Sequence, residues 1–464
     1  MSSVPDFTRA GALEFRTFRA KESAMLQERI PDLAQCVEPD RVRKEVYTDE
    51  QIFELEMRRI HQTVWIYCGH VSQIPKAGDF YQVQIGRQPM LMVRGKDGQV
   101  HVLYNRCPHR GNMMCGDRHG NTGEQFRCSY HSWTFHHDGR LKNIPMMESG
   151  YAGTRVKKDS PELCMKRAAR VDTYRGFVFA SLAQDGPTLK EFLGKSIVAF
   201  DDMCDRAPEG EVEVVPNCFR VIQHSNWKLF MENQIDALHP SVTHQSTGRA
   251  AHEVEKQIAK KSKAGEALSY HMLSAFATVT IDKWDNFQTI NYPYGHCILT
   301  GYMGLRPQDP DTKAYDKIML KAYGQKRFEE IVGVNIHHVL VYPGLSVQSP
   351  LQQLRAVRPL GVDRTLTEIW HFRLKGAPEA IYRRSLAYYN LVNSPATLIN
   401  ADDLENFWKC HQGLSSDGGD WVSFARHHGH DIEQDGAVSS APNQGTSEAP
   451  MRNQMKAWAK YMQR

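Results

Sequence analysis

The sequence has no apolar run near the ~20 residues needed to span a bilayer, so no membrane helix is expected. Charge of one sign is also missing: 57 Lys and Arg stand against 53 Asp and Glu, a net charge of +4. This balance argues against a nucleic-acid binder and a polybasic membrane anchor. The opening stretch MSSVPDFTRAGALEF lacks an apolar core of signal-peptide length behind basic residues, which points to the cytoplasm. No internal repeat is visible. Strand and helix patterns do not alternate regularly, so a doubly wound parallel sheet is not expected.

What is present is bulk. At 464 residues and 41% hydrophobic content, the chain has material for two or three domains with large cores, without help from disulfides. Its ten cysteines are therefore read as free thiols or metal ligands of a reducing compartment. Cys36, Cys68, Cys164, Cys204, Cys218, Cys297 and Cys410 stand alone among apolar or mixed neighbours and read as small buried hydrophobes.

The patterning predicts an α+β protein. Residues 1–47 form an N-terminal arm, with a weak helical pattern around Ala20–Arg29. A helix follows over Thr48–Val64, with Ile52, Leu55, Ile60 and Val64 at helical spacing. Short strands over Phe80–Ile85, Pro89–Val93 and Val100–Tyr104, separated by Gly86-Arg87 and Asp97-Gly98 turns, indicate a small antiparallel β domain. The strand Gly176–Leu182 leads out of it, bounding the domain at 48–182. In the remainder, 183–464, helices are predicted over Leu189–Met203, Trp227–Leu238, Ala314–Ile331, Ala377–Leu391, Ala401–Cys410 and Pro450–Met462. Strands are predicted at Glu211–Val215, Leu268–Ile281, His296–Tyr302, His337–Val341, Leu345–Gln348 and Thr365–Leu374. An antiparallel sheet with helices packed on it fits these, and Asp435–Glu448 reads as a loop.

Two constellations carry chemistry. In the first, NRCPHRG is followed by CSYHSW with eighteen residues between His109 and Cys128, so Cys107 and His109 form one pair and Cys128 and His131 another. A [2Fe–2S] cluster with two thiolates on one iron and two imidazoles on the other needs this set, and neutral imidazole raises its potential. A structural zinc site uses the same residue types. Its usual order, however, places two Cys before two His, whereas here they are interleaved. Cys115 lies in the intervening loop but has no His two residues on, and is left out.

In the second constellation, SNWKLFMENQIDALHPSVTH carries Asp236, His239 and His244 as D-x₂-H-x₄-H. On one helix His239 and His244 would lie about 140° apart and could not share a metal. Pro240 is expected to end or kink the helix at His239 and let His244 return. An Fe(II) site for O₂ chemistry needs two His and a carboxylate on one face. The stretch NADDLENFW offers Asp402, Asp403 and Glu405, and residue chemistry alone does not choose among them. Acidic residues at a helix start also serve the macrodipole.

CPHRG and CSYHSWTF followed by GRL, then NWK, EN, D-x₂-H-x₃-TH and a late DD-x-x-N, resemble the large (alpha) subunits of Rieske non-haem iron ring-hydroxylating oxygenases. WIYCGHVSQIPKAGDF, VYPGLSVQ and GTSEAPMRNQMKAW extend the likeness over nearly the whole chain, and IGRQPM leans to the benzoate and anthranilate type. The resemblance implies a Rieske domain before, or inserted in, a helix-grip-like catalytic domain. It implies Cys107, His109, Cys128 and His131 as cluster ligands, and His239, His244 and Asp403 as ligands of a mononuclear Fe(II). Asp236 matches the acidic residue linking the two centres across a subunit boundary, where it would meet His131 of the partner subunit. Implied partners are O₂, an aromatic substrate and a reductase fed by NAD(P)H, with or without a ferredoxin; neither nucleic acid nor a membrane is among them. A small beta subunit and a trimeric core, α3 or α3β3, are also implied. An alpha-only monooxygenase or demethylase is the alternative within the family. The sequence departs from the pattern in a slightly long gap after His109, in Ser132 where glycine is common, and in an EN pair one residue nearer Asp236. Arg355 and Arg358 are candidates to hold an aromatic carboxylate, and Met231, Ala237 and Leu238 are candidates for the pocket.

Overall fold

The computed structural model describes residues 33–463, apart from 158–159, 262–272, 274–275, 278–279, 303, 305, 335, 435 and 442–443. The pattern at Ala20–Arg29 and most of the arm therefore lie outside the described residues. So does most of the strand expected at Leu268–Ile281, within which Leu273, Phe276 and Ala277 are helical.

The Asp49 side chain accepts from the N–H groups of Gln51 and Ile52 and starts helix α1 (Glu50–Glu56). A π-turn over Met57–His61 follows. This wider turn re-aims the chain, so that Glu56, Met57, Ile60 and His61 are all buried.

Strands β1 (Ile66–His70), β2 (Asp79–Ile85), β3 (Gln88–Arg94), β4 (Val100–Tyr104) and β5 (His119–Asn121) come next. Four of them form an antiparallel sheet in the order β4-β3-β2-β5. Strands β6 (Phe126–Arg127), β7 (Thr134–Phe135) and β8 (Leu141–Asn143) make a small antiparallel sheet beside it. Strand β10 (Phe177–Ser181) pairs with β9 (Arg170–Tyr174) on one side and with β1 on the other.

Strand β3 explains how this region is held. Met90, Leu91, Met92 and Val93 are all fully buried, although successive side chains point to opposite faces. Leu91 and Val93 join the apolar cluster around Cys107, Cys128 and Trp133. Met90 and Met92 join the main core with Phe177, Trp370 and Phe372. Each such side chain contributes about 1.5–3 kcal/mol by burial.

The larger sheet contains β11 (Val212–Gln223), β12 (Gln288–Asn291), β13 (Cys297–Gly301), β14 (Ile336–Val341), β15 (Leu345–Gln348), β16 (Gln353–Gly361), β17 (Arg364–Leu374), β18 (Ile432–Gln434) and β19 (Ala437–Ser439). Their order is β11-β17-β16-β15-β14-β13-β12-β19-β18, with every pair antiparallel. The expected antiparallel sheet with packed helices is present. Two expectations are corrected. Strand β16 was not anticipated, because its Arg-rich, Pro-containing sequence lacks clean alternation. The stretch read as a loop from Asp435 to Glu448 instead supplies β19, which pairs with β12 through Ile290 and Asn291.

The helices that carry or frame the second constellation are α2 (Trp227–Asn233), α3 (His239–Thr243), α4 (Pro310–Val332), α5 (Glu379–Asn393), α6 (Leu398–Leu414) and α7 (Ala449–Met462). Among the described residues no helix is long and apolar enough to cross a membrane. The lone cysteines are buried or half-buried as expected except Cys410, which is exposed on α6.

Candidate metal centres and substrate cavity

The first constellation sits on two tight loops. The Cys107 N–H donates to the Asn112 carbonyl, and the Cys107 carbonyl accepts from Gly111 N–H. Cys128 does the same with Trp133 and Ser132. Gly111 has φ +78° and Ser132 has φ +57°, so both turns need the left-handed region, which glycine adopts freely and serine at a cost. The departure from glycine at 132 therefore leaves the turn's geometry intact. Cys107 and Cys128 are buried, whereas His109 and His131 are half-buried at the rim. The rings of the two His lie 4.6 Å apart, and Trp133 stacks on His109 at 4.7 Å. Asn112 donates from Nδ2 to Cys128 Sγ at 3.7 Å. Burial pushes the Cys107 thiol up to about 11. For Cys128, burial acts the same way but is outweighed by N–H groups of Tyr130 and His131 and by Asn112, which hold the thiol below its ordinary value. Cys115 belongs to the apolar cluster, and burial pushes its thiol up to about 12.

The second constellation departs from the expected helix geometry. Helix α2 ends at Asn233 rather than Leu238. The Asp236 carboxylate accepts from the Leu238 N–H at 2.9 Å, a local turn that competes with helix continuation. Pro240 then lies in the first turn of the new helix α3, where proline is well tolerated. Pro240 thus starts a helix instead of ending one. His239 and His244 flank this short element with rings 5.6 Å apart.

Asp403 reaches in from α6. Its Oδ1 lies 3.3 Å from His244 Nε2 and 3.8 Å from His239 Nε2. Ligands at right angles around a metal with bonds of roughly 2.1 Å stand about 3 Å apart. The three side chains therefore fit one ion after small adjustments. Among the described residues, they are the set whose donor atoms all lie within 4.8 Å of one another.

Each imidazole has its other nitrogen occupied. His239 Nδ1 meets the Asp236 carbonyl at 3.0 Å, nearer than the Asp236 carboxylate at 3.8 Å. His244 Nδ1 meets Asp402 Oδ2 at 3.1 Å. Such contacts fix the tautomer and leave Nε2 for a metal. The three acidic candidates thus separate: Asp403 faces both His, Asp402 supports His244, and Glu405 pairs with Lys409 on the helix surface. Helix α6 begins at Leu398, so Asp402 and Asp403 lie beyond the first turn, where the macrodipole acts. Burial lowers His239. It would also lower His244, but Asp403 and Asp402 overcome it and hold that imidazole above its ordinary value. Asp403 is held low despite burial by His244, His239 and Arg355.

The triad opens on a cavity of about 270 Å³, lined on its apolar side by Phe276, Leu299, Leu351, Tyr388, Val392 and Ile399. A cavity of about 150 Å³ already holds benzene, so a substituted ring fits. Of the three pocket candidates Ala237 lines the cavity, whereas Met231 is wholly buried in the main core and Leu238 is not among the lining residues.

Residues 64–174 match the Rieske [2Fe-2S] domain family, and residues 210–464 match the ring hydroxylating alpha subunit (catalytic domain) family. The chain belongs to the ring-hydroxylating Rieske oxygenases, as an alpha subunit. Its cofactors are accordingly a [2Fe–2S] cluster and a mononuclear Fe(II). The oxygenase is 33% identical over 382 residues to toluate 1,2-dioxygenase subunit alpha of Pseudomonas putida, covering 82% of this chain and 80% of the relative. It is 31% identical over 388 residues to the anthranilate 1,2-dioxygenase large subunit of Acinetobacter baylyi, covering 83% and 80%. In fold it is similar to naphthalene 1,2-dioxygenase with phenanthrene bound, at TM-score 0.77 and 23% identity over 92% of this chain and 93% of that one.

Sequence reasoning missed several residues of this oxygenase's site. Asn233, the asparagine of the EN pair, donates to Asp403 Oδ1 at 3.2 Å. Gln234 Nε2 donates to Asn233 Oδ1 at 3.0 Å, and Arg426 reaches Asp236 Oδ1 at 3.3 Å. Adjacency to the motif was the available signal for Asn233 and Gln234. Nothing in the sequence pointed to Arg426, which lies 190 residues from Asp236.

Proposed function

We propose that this oxygenase inserts both atoms of O₂ into an aromatic ring as a cis-diol, with Cys107, His109, Cys128 and His131 holding the cluster and His239, His244 and Asp403 holding the mononuclear iron. The observation that carries this reading is the convergence of two imidazoles and one carboxylate on the wall of a largely apolar, ring-sized cavity. Iron bound there supplies O₂ activation, fed by electrons from the cluster. The protein's own work is to orient and to exclude water. Asp402 and the Asp236 carbonyl hold the imidazoles, Asn233 holds Asp403, and apolar side chains keep a ring dry beside them.

Residues 48–182 are proposed as the Rieske domain, 183–464 as the catalytic domain and 1–47 as an arm. Assembly as α3, or α3β3 with a small subunit, fits two exposed apolar patches. Met113, Tyr130 and Met146 surround the cluster loops, while Val242 and Trp408 project from the helices that carry His239 and Asp403. Head-to-tail contact between such patches closes a ring. It would bring Asp236 to the partner subunit's His131 as a link for electrons. A reductase, with or without a ferredoxin, completes the proposed chain from NAD(P)H.

The test is O₂ uptake by the holoenzyme with a reductase, over aromatic acids, amines and hydrocarbons, with product analysis. A product with two new hydroxyl groups supports the reading. One new hydroxyl, or loss of an N- or O-methyl group, assigns the alternative monooxygenase or demethylase activity.

A further inference from the structure

Four arginines line the cavity: Arg206, Arg306, Arg355 and Arg384. Three are already paired with carboxylates. Arg206 binds Asp202 at 3.1 Å, Arg384 binds Asp309 at 2.8 Å, and Arg306 binds Asp316. Arg355 differs. It projects from β16, an interior strand between β15 and β17, and no carboxylate among the described residues lies within ion-pair distance of it. Its guanidinium makes one hydrogen bond among these residues, from Nη1 to Gln234 Oε1 at 2.8 Å, and its Nε is buried without a partner. The other arginine singled out by the sequence, Arg358, is consumed elsewhere: it binds Glu368 at 3.3 Å and the Tyr67 carbonyl at 2.9 Å.

A guanidinium left without a counter-ion in a largely apolar cavity is costly unless an anion arrives with the ligand. Arg355 is also tied to the iron-binding triad through Gln234 and Asn233, which reaches Asp403. We infer that Arg355 is the specificity residue for a substrate carboxylate, so that the substrate class is aromatic acids rather than neutral aromatics. The planar fork of the guanidinium matches a carboxylate with two parallel hydrogen bonds. The apolar wall formed by Tyr388, Val392 and Ile399 takes the ring. The inference rests on reading the cavity as the substrate site of the proposed dioxygenase.

The test uses the holoenzyme and two isosteric probes, benzoate and benzamide, with calorimetric affinity measured anaerobically and O₂ uptake measured on separate aerobic samples supplied with a reductase. Wild-type protein is expected to bind benzoate about 100-fold more tightly than benzamide, the value of a charge-assisted pair in a dry site. R355M is expected to lose that preference while keeping benzamide binding, the cluster spectrum and iron content. R355K should keep part of it, since lysine retains charge but not the fork. Equal affinity of wild-type protein for the two probes overturns the inference, as does unchanged benzoate preference in R355M. Hydroxylation of neutral aromatics without carboxylate preference would overturn it while leaving the proposed function standing. Carboxylate-selective binding without O₂ uptake on any aromatic would uphold Arg355 and overturn the dioxygenase reading.

Discussion

Glu56 offers a sharp test of how the fold positions the mononuclear site. Its carboxylate is fully buried at the end of α1 and accepts three hydrogen bonds: from Lys228 Nζ at 2.5 Å, Trp458 Nε1 at 2.6 Å and Trp227 Nε1 at 2.8 Å. These partners belong to α2 and α7, so one side chain ties together segments about 170 and 400 residues away. Lys228 is 2% exposed, and burial lowers its ammonium despite Glu56. Replacing Glu56 with alanine strands that cation, at a cost of about 3–5 kcal/mol for a broken buried pair. Each orphaned indole N–H adds about 1 kcal/mol. At about 2–4 °C per kcal/mol for a large domain, Glu56→Ala should lower the Tm by roughly 10–30 °C. The assay is thermal unfolding followed by circular dichroism on the holoenzyme, with iron content measured in parallel. The double substitution Glu56→Met with Lys228→Met removes both charges and should recover more than half of the loss, because paired burial itself contributes little net stability. A drop under about 3 °C for Glu56→Ala, or a double variant no better than the single one, would refute the reasoning.

Asp403→Ala should lower iron from about three to about two per chain and abolish turnover, with the cluster's visible spectrum retained. Asp402→Asn should weaken mononuclear iron binding by roughly 10–100-fold, whereas Glu405→Ala should leave it unchanged; titration with Fe(II) separates the three. Ser132→Gly should relieve a left-handed turn and stabilise the cluster loop by about 1 kcal/mol, read as slower thermal loss of cluster absorbance. Glu232 is raised to about 8, chiefly by burial, although it accepts from Tyr47. Its folded value exceeds the unfolded one, so the folded state binds more protons between about pH 4.5 and 8 and stability falls as pH rises through that window. Glu232→Gln should flatten this decline in denaturation curves taken at several pH values; an unchanged slope would count against it.

The proposed cluster site was largely legible in the sequence because all four proposed ligands lie within two short motifs whose turns are locally determined. The hairpins around Gly86 and Asp97-Gly98 were legible for the same reason. Legibility failed where distant segments decide the structure. Strand β16 has a poor local pattern and exists because β15 and β17 bracket it. Residues 437–439 look like loop until β12 offers an edge. At the mononuclear site, helix spacing anticipated one continuous helix through Asp236. The Asp236 side chain, bonded to the Leu238 N–H, breaks it first. The choice among Asp402, Asp403 and Glu405 was closed to residue chemistry because it depends on how α6 is rotated against α3.

Strand β3 bears on protein engineering. Its alternate residues serve two different cores, so the iron–sulfur unit has no clean seam along which it could be cut away. A chimera exchanging residues 64–174 with those of a relative would carry a foreign Met90 and Met92 surface into the core built by Phe177 and Phe372. Grafts of this kind should work when the recipient's facing residues travel with the insert. Substrate range, which the proposed function places in the cavity beyond β16, could then be altered separately from the electron-accepting half.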